Sequence, residues 1–87
     1  MEWASYSFVV RGRTRRKVLM ALEKPKTPSQ ISSELKLSTT HISRALKEFS
    51  DRNLVRCLTP EEKFGRVYEL TEKGKELFSK LKETTSV

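Results

Sequence analysis

"TPSQISSELKLSTTHISRALKEF", residues 27–49, holds two short helical patterns separated by barely a turn's worth of chain. Thr27-Pro28-Ser29-Gln30 reads as a capping box: a threonine N-cap, proline at the first helical position, and a glutamine three residues on that can reach back to the cap. Ile31 and Leu35 of this short helix face the core. Leu37-Ser38-Thr39 makes the turn, where the hydroxyl of Ser38 or Thr39 can accept from the free N–H groups of the next helix. There Ile42, Ala45, Leu46 and Phe49 recur at i, i+3, i+4 and i+7, the strongest amphipathic signal in the chain. At about 100° per residue the opposite face carries Thr40, Arg44, Lys47 and Asp51, flanked by His41 and Ser43.

On the N-terminal side, Val18, Leu19, Ala21 and Leu22 share one face of a core helix that starts at Arg13 and ends near Lys24, because Pro25 and Pro28 cannot continue it. Arg15 falls toward the core side of that helix. It is expected to lie half-buried beside a carboxylate or to reach over the helix end to a phosphate, the ion pair being preferred. In the first ten residues Trp3, Tyr6 and Val10 fit a helix, while Ala4, Tyr6, Phe8 and Val10 alternate as a strand would; a helix is preferred.

On the C-terminal side, the β-rich runs Leu54 to Leu58 and Arg66 to Leu70 flank a loop of turn formers, Thr59 to Gly65 with Phe64 among them, and predict an antiparallel hairpin. Thr71 then caps a last helix in which Leu77, Phe78 and Leu81 form the apolar stripe. Gly74 sits one turn into it, at a cost of about 1 kcal/mol relative to alanine. Close backbone packing is the simplest reason. Glu83 to Val87 read as a loose tail.

These elements predict a fold that is mainly α with a small β-hairpin (α+β), in one domain of 87 residues: a helix-turn-helix at about 28–52, a hairpin at about 54–70 and a last helix at about 72–83. Lys and Arg number 18 against 11 acids, giving +7 and a pI near 9.9, which favours a polyanionic partner. No apolar stretch is long enough to span a membrane, and no basic region followed by an apolar run marks a secretory signal. With Cys57 alone, no internal disulfide can form, and a reducing cytoplasm is the expected location, in association with the nucleoid.

Cys57 reads as a small residue packed in the hairpin. His41 is the only histidine, so neither a metal site nor a cofactor is expected. An enzyme is disfavoured too, for want of a glycine-rich phosphate loop or a grouping of nucleophile and base.

Helix, helix, tight turn, helix, hairpin, helix is the order of the winged helix-turn-helix. The passage "NLVRCLTPEEKFGRVYELTEKGKEL" resembles the strand, wing, strand and final helix of the arsenic-repressor and multiple-antibiotic-resistance regulator families, ArsR and MarR. Together with the stretch at 27–49 it looks most like the small archaeal regulators of that superfamily, over roughly residues 13–80, and "YELTEKG" at 68–74 is its most specific motif. The resemblance implies a three-helix core plus wing with flanking N- and C-terminal helices. It also implies base-reading roles for Thr39, Thr40, His41, Ser43, Arg44 and Lys47, and DNA contacts for Lys63 and Arg66 on the wing. The metal sensing known in the arsenic-repressor family finds no ligand set here.

Physical geometry stands beside the resemblance. A major groove about 12 Å wide admits one helix, whose reading side chains must point away from the core, as Thr40, Arg44 and Lys47 do. Lys26, Ser29 and Gln30 sit where the N-terminus of the preceding helix can hold a phosphate. The expectation is a transcriptional regulator that binds double-stranded DNA sequence-specifically.

One recognition helix and one wing cover few base pairs, so a homodimer is expected. Its candidate surfaces are Trp3, Tyr6 and Phe8, and Leu77, Phe78 and Leu81, although the same residues could simply close the monomer's own core. The chief rival function is a winged-helix adaptor that turns the same face to a protein in a transcription or chromatin assembly. The basic recognition face argues against it.

Overall fold

Caps and prolines divide the chain into α1 (Trp3–Arg11), α2 (Arg13–Ala21), α3 (Pro28–Leu35), α4 (Thr39–Asp51), β1 (Val55–Cys57), β2 (Tyr68–Leu70) and α5 (Glu72–Thr85). The structure, a computed structural model, describes residues 3–63 and 65–85. Phe64 of the hairpin loop and Ser86 and Val87 of the expected tail lie outside them. The architecture is the expected one. Helices α2, α3 and α4 enclose a core of Val18, Leu19, Leu22, Ile31, Ile42, Leu46 and Phe49, each at most 2% exposed. The hairpin and α5 close it with Leu54, Val55, Leu70, Leu77 and Leu81.

The capping box of α3 forms in full: the Gln30 N–H donates to Thr27 Oγ1 (3.2 Å), and the Thr27 N–H donates to Gln30 Oε1 (2.9 Å). Ser38 is the cap of α4, accepting from the His41 N–H. Between these helices Lys36 turns through a left-handed conformation (φ 56°), and the Ser32 hydroxyl donates to the Leu37 carbonyl, fixing the turn. At α5, Thr71 Oγ1 accepts from the Gly74 N–H as expected. Gly74 is there for space, since a Cβ would lie 2.0 Å from the Leu54 carbonyl oxygen.

Several boundaries differ from expectation. Helix α2 stops at Ala21, short of Lys24, with Leu22 as its C-cap donating its N–H to the Leu19 carbonyl; Leu22 is buried all the same. Both strands are shorter than their β-rich runs. The Leu54 N–H closes the end of α4 on the Phe49 carbonyl and the Val67 N–H goes to Thr59 Oγ1, so at the ends of the ladder that pairs Val55 with Leu70 and Cys57 with Tyr68 these two residues offer only their carbonyls, which accept from Thr71 and Leu58. A third short arm appears that periodicity did not show: Lys26 bridges Tyr68 through two backbone hydrogen bonds, tying the start of α3 to the wing. Glu83 to Thr85, expected in the tail, continue α5.

Helix α1 forms, the alternative preferred over a strand. Ser5 and Val9 point inward, while Trp3 is 63% exposed and Val10 lies at the surface. Its anchor is Phe8. The guanidinium carbons of Arg15 and Arg52 each lie 3.9 Å from the ring centroid, which two cations can do only on opposite faces. Arg15 also donates to the Phe8 carbonyl and lies 3.5 Å from Glu48, the ion pair anticipated for it.

Candidate nucleic-acid interface

The inner face of α4 is fully used by packing: Ile42, Ala45, Leu46 and Phe49 are all at most 3% exposed. That fixes the rotation of the helix. Thr39, Thr40, His41, Ser43, Arg44, Lys47 and Asp51 are consequently exposed together, and no part of the described chain covers them. Arg44 and Lys47 have no hydrogen-bond or ion-pair partner among the described residues. The Ser38 cap holds the first turn in place, and Lys73 donates to the Arg52 carbonyl at the other end. The helix that carries the exposed face is therefore hydrogen-bonded at both ends.

The wing forms one bank of a groove along α4, with Arg66, Cys57 and Tyr68 opposite Ser43 and Lys47. Arg66 is exposed, and its Nε donates to the Glu62 carbonyl within the wing loop, which leaves the rest of its guanidinium outward. Lys63 is exposed near the tip. Cys57 is only half-buried and faces this groove, so it is less enclosed than a residue packed within the hairpin.

The expected phosphate site at the start of α3 is divided. Ser29 is exposed beside the helix N-terminus. Gln30 spends its carbonyl oxygen on the capping box and keeps its amide N–H₂ available. Lys26 is turned aside into a 2.8 Å pair with Glu34, which leaves it less free for DNA than the sequence implied.

The expected dimer residues also separate. Leu77 and Leu81, at 1% and 2% exposure, are taken up by the chain's own core and are not surface residues. Phe78 is half-buried against that core, and Phe8 is held between two arginines. Trp3 remains outward, its ring edge-on to Tyr6 at 5.6 Å. Among the described residues no three His, Cys, Asp or Glu side chains gather as a metal site, and no helix is long and apolar enough to cross a membrane.

A model described as the HVO_A0261 N-terminal domain matches residues 3–87. No curated protein matches the chain. Among solved structures, the MarR family transcription regulator SP03579 superposes with a TM-score of 0.75 at 24% identity, over 93% of this chain and 58% of that one. A mutant of MarR from E. coli complexed with operator DNA gives 0.66 at 22% identity, over 80% and 52%. HlyU from Vibrio cholerae gives 0.74 at 20% identity, over 99% and 98%. The chain spans little more than half the length of the first two and nearly all of HlyU. At these identities the likeness establishes the fold, the winged helix-turn-helix of the MarR-type regulators.

Proposed function

The chain belongs to the HVO_A0261 N-terminal domain family, and on that premise we propose that it is a transcriptional regulator that binds double-stranded DNA sequence-specifically. Helix α4 enters the major groove, and the wing lies on the adjacent backbone or minor groove. One observation carries the reading: the apolar side of α4 is wholly buried while its Thr40, Arg44 and Lys47 side is exposed, basic and without partners among the described residues. Arg44 can pair bidentately with guanine, Thr40 can contact a base acceptor or a thymine methyl, Lys47 faces the base edges with them, and Lys63, Arg66 and Ser29 meet phosphates. That a MarR mutant of the same fold is complexed with operator DNA supports DNA as the partner. The work is done in the cytoplasm, on the nucleoid, and two copies together supply the half-sites that specificity requires. Trp3 and Tyr6 are the aromatic surface best placed to join them.

Fluorescence anisotropy on duplex DNA at two salt concentrations tests this. Wild type should show a steep log-log dependence, and Lys63→Ala should flatten it by about one unit. Arg44→Ala should relax sequence preference by about 1–3 kcal/mol at one base position. Equal weakening on every sequence would remove Arg44 from base reading. Binding that ignores salt would favour the adaptor function.

A further inference from the structure

The α1–α2 corner carries more positive charge than its fold can use. Between residues 11 and 17, Arg11, Arg13, Arg15, Arg16 and Lys17 occur with no acid among them. Only Arg15 is neutralised, by Glu48. Arg11, Arg13, Arg16 and Lys17 are exposed, with no hydrogen-bond or ion-pair partner among the described residues. They also crowd the start of α2, whose N-cap is Gly12 and whose first turn holds no acid. That helix end already carries roughly half a positive elementary charge, so Arg13 and Arg16 in its first turn oppose folding, whereas Arg11 in the last turn of α1 does not. A charge cluster that works against its own helix points to an anionic partner.

Its position says which one. Along the flank of α4 away from the wing runs a second groove, where Gly12, Arg13 and Thr14 face His41 and Arg44, and where the one acid, Glu48, is paired with Arg15. The opposite flank is the one bordered by Arg66 and Tyr68 of the wing. The exposed face of α4 thus lies between two basic banks. A helix seated in a major groove has a phosphate strand on either side of it.

We infer that the α1–α2 corner is a second backbone-contact surface of the protein, with Arg13 at its centre and Arg11 two residues before it, holding the phosphate strand across the groove from the wing. The inference rests on α4 being the DNA-reading helix. It enlarges the contact from one strand to both, and it is independent of base sequence because guanidinium groups at phosphates carry no base information.

The test uses the whole chain and the same anisotropy titration on specific and scrambled duplexes. Arg11→Gln/Arg13→Gln should weaken binding to both duplexes by a similar factor, and should lower the log-log salt slope by about two units if each arginine meets one phosphate. Lys75→Gln, on α5 and outside both grooves, removes one charge and should leave the slope unchanged. Circular dichroism should show the double variant folded. A wild-type slope in the double variant, with Lys63→Ala still flattening it, would overturn the second surface and leave the proposed function standing. Equal slope loss from Lys75→Gln would reduce the effect to net charge. Absence of salt-dependent binding in the wild type would remove the DNA reading itself.

Discussion

Helices α2 and α3 lie next to each other in the chain and begin in opposite ways. Helix α3 opens on a complete capping box with proline at its first position, so its free N–H groups are met by its own side chains. Helix α2 opens on Gly12, which offers no side chain, and loads its first turn with arginine. Local chemistry builds the first start; tertiary contacts must hold the second. Those contacts are the Phe8 ring between Arg15 and Arg52, the Arg15 hydrogen bond to the Phe8 carbonyl, and the nearby Glu48. Gly12 belongs to the same device, because a Cβ there would come within 2.8 Å of the Arg15 side chain as it lies back toward Phe8. The N-cap of α3 is satisfied within four residues, although Lys26 just before it is bridged to Tyr68, whereas the start of α2 has no side-chain cap and depends on tertiary contacts alone.

The start of α5 extends the contrast to its limit, since there the requirement is space. Alanine at 74 would gain about 1 kcal/mol in helix propensity. Its Cβ would meet the Leu54 carbonyl oxygen at 2.0 Å, and backbone cannot step aside as a flexible side chain does. Gly74→Ala should therefore lose about 2–3 kcal/mol net, a fall in Tm of about 10–20 °C for a domain this size. Denaturant unfolding at or above wild-type stability would mean that α5 does not press on Leu54.

Arg15→Ala comes next, because it removes the tie on which α2 depends. The stacking on Phe8 is worth about 1 kcal/mol, and the half-exposed pair with Glu48 adds at most a few tenths. A loss of about 1–1.5 kcal/mol is expected. A double-mutant cycle with Phe8→Leu should return most of it as coupling, and additive losses would show the ring to be a bystander. Thr27→Ala breaks the cap of α3 and should cost about 1 kcal/mol. Because the Thr27 cap and the Arg15 contacts share no partner, Thr27→Ala should be additive with Arg15→Ala within about 0.5 kcal/mol.

The same division decides what was legible in the sequence. Starts made of local chemistry were readable: Thr27 and Gln30, Ser38 and Thr71 all cap where their spacing placed them. The inward face of α4 followed from Ile42, Ala45, Leu46 and Phe49 and was right at every position. What periodicity missed was set by partners distant in sequence. The spacing of α1 predicted a helix but not that Ser5 and Val9 would be its buried residues, nor that Phe8 would be held between Arg15 and Arg52.

Strand ends shortened where Leu54 and Val67 gave their N–H groups to α4 and to Thr59. The Lys26 bridge to Tyr68 joins residues with no pattern in common. At the candidate site the exposure of Thr40, Arg44 and Lys47 was readable. The pairing of Lys26 with Glu34 and the placement of Arg13 beside Arg44 were not, although the basic run at 11–17 was in plain view.

The smallest effect separates the two kinds of helix start most sharply, because its sign is unusual. Removing a surface charge ordinarily changes stability little, but Arg13→Gln takes a cation away from the positive end of α2 without disturbing Arg15, Phe8 or Glu48. Stability should rise, by about 0.3–0.5 kcal/mol at low ionic strength. The gain should shrink as salt rises past about 0.1 M, where screening acts over roughly 10 Å. Urea melts at two salt concentrations resolve both, since a change in midpoint at constant slope reports stability alone. If the variant is less stable at low salt, Arg13 has a partner that holds the fold, and the crowding of charge at this corner is not a cost that DNA relieves. If it is more stable while binding DNA more weakly, the start of α2 has kept an unfavourable charge that serves its partner and not its fold.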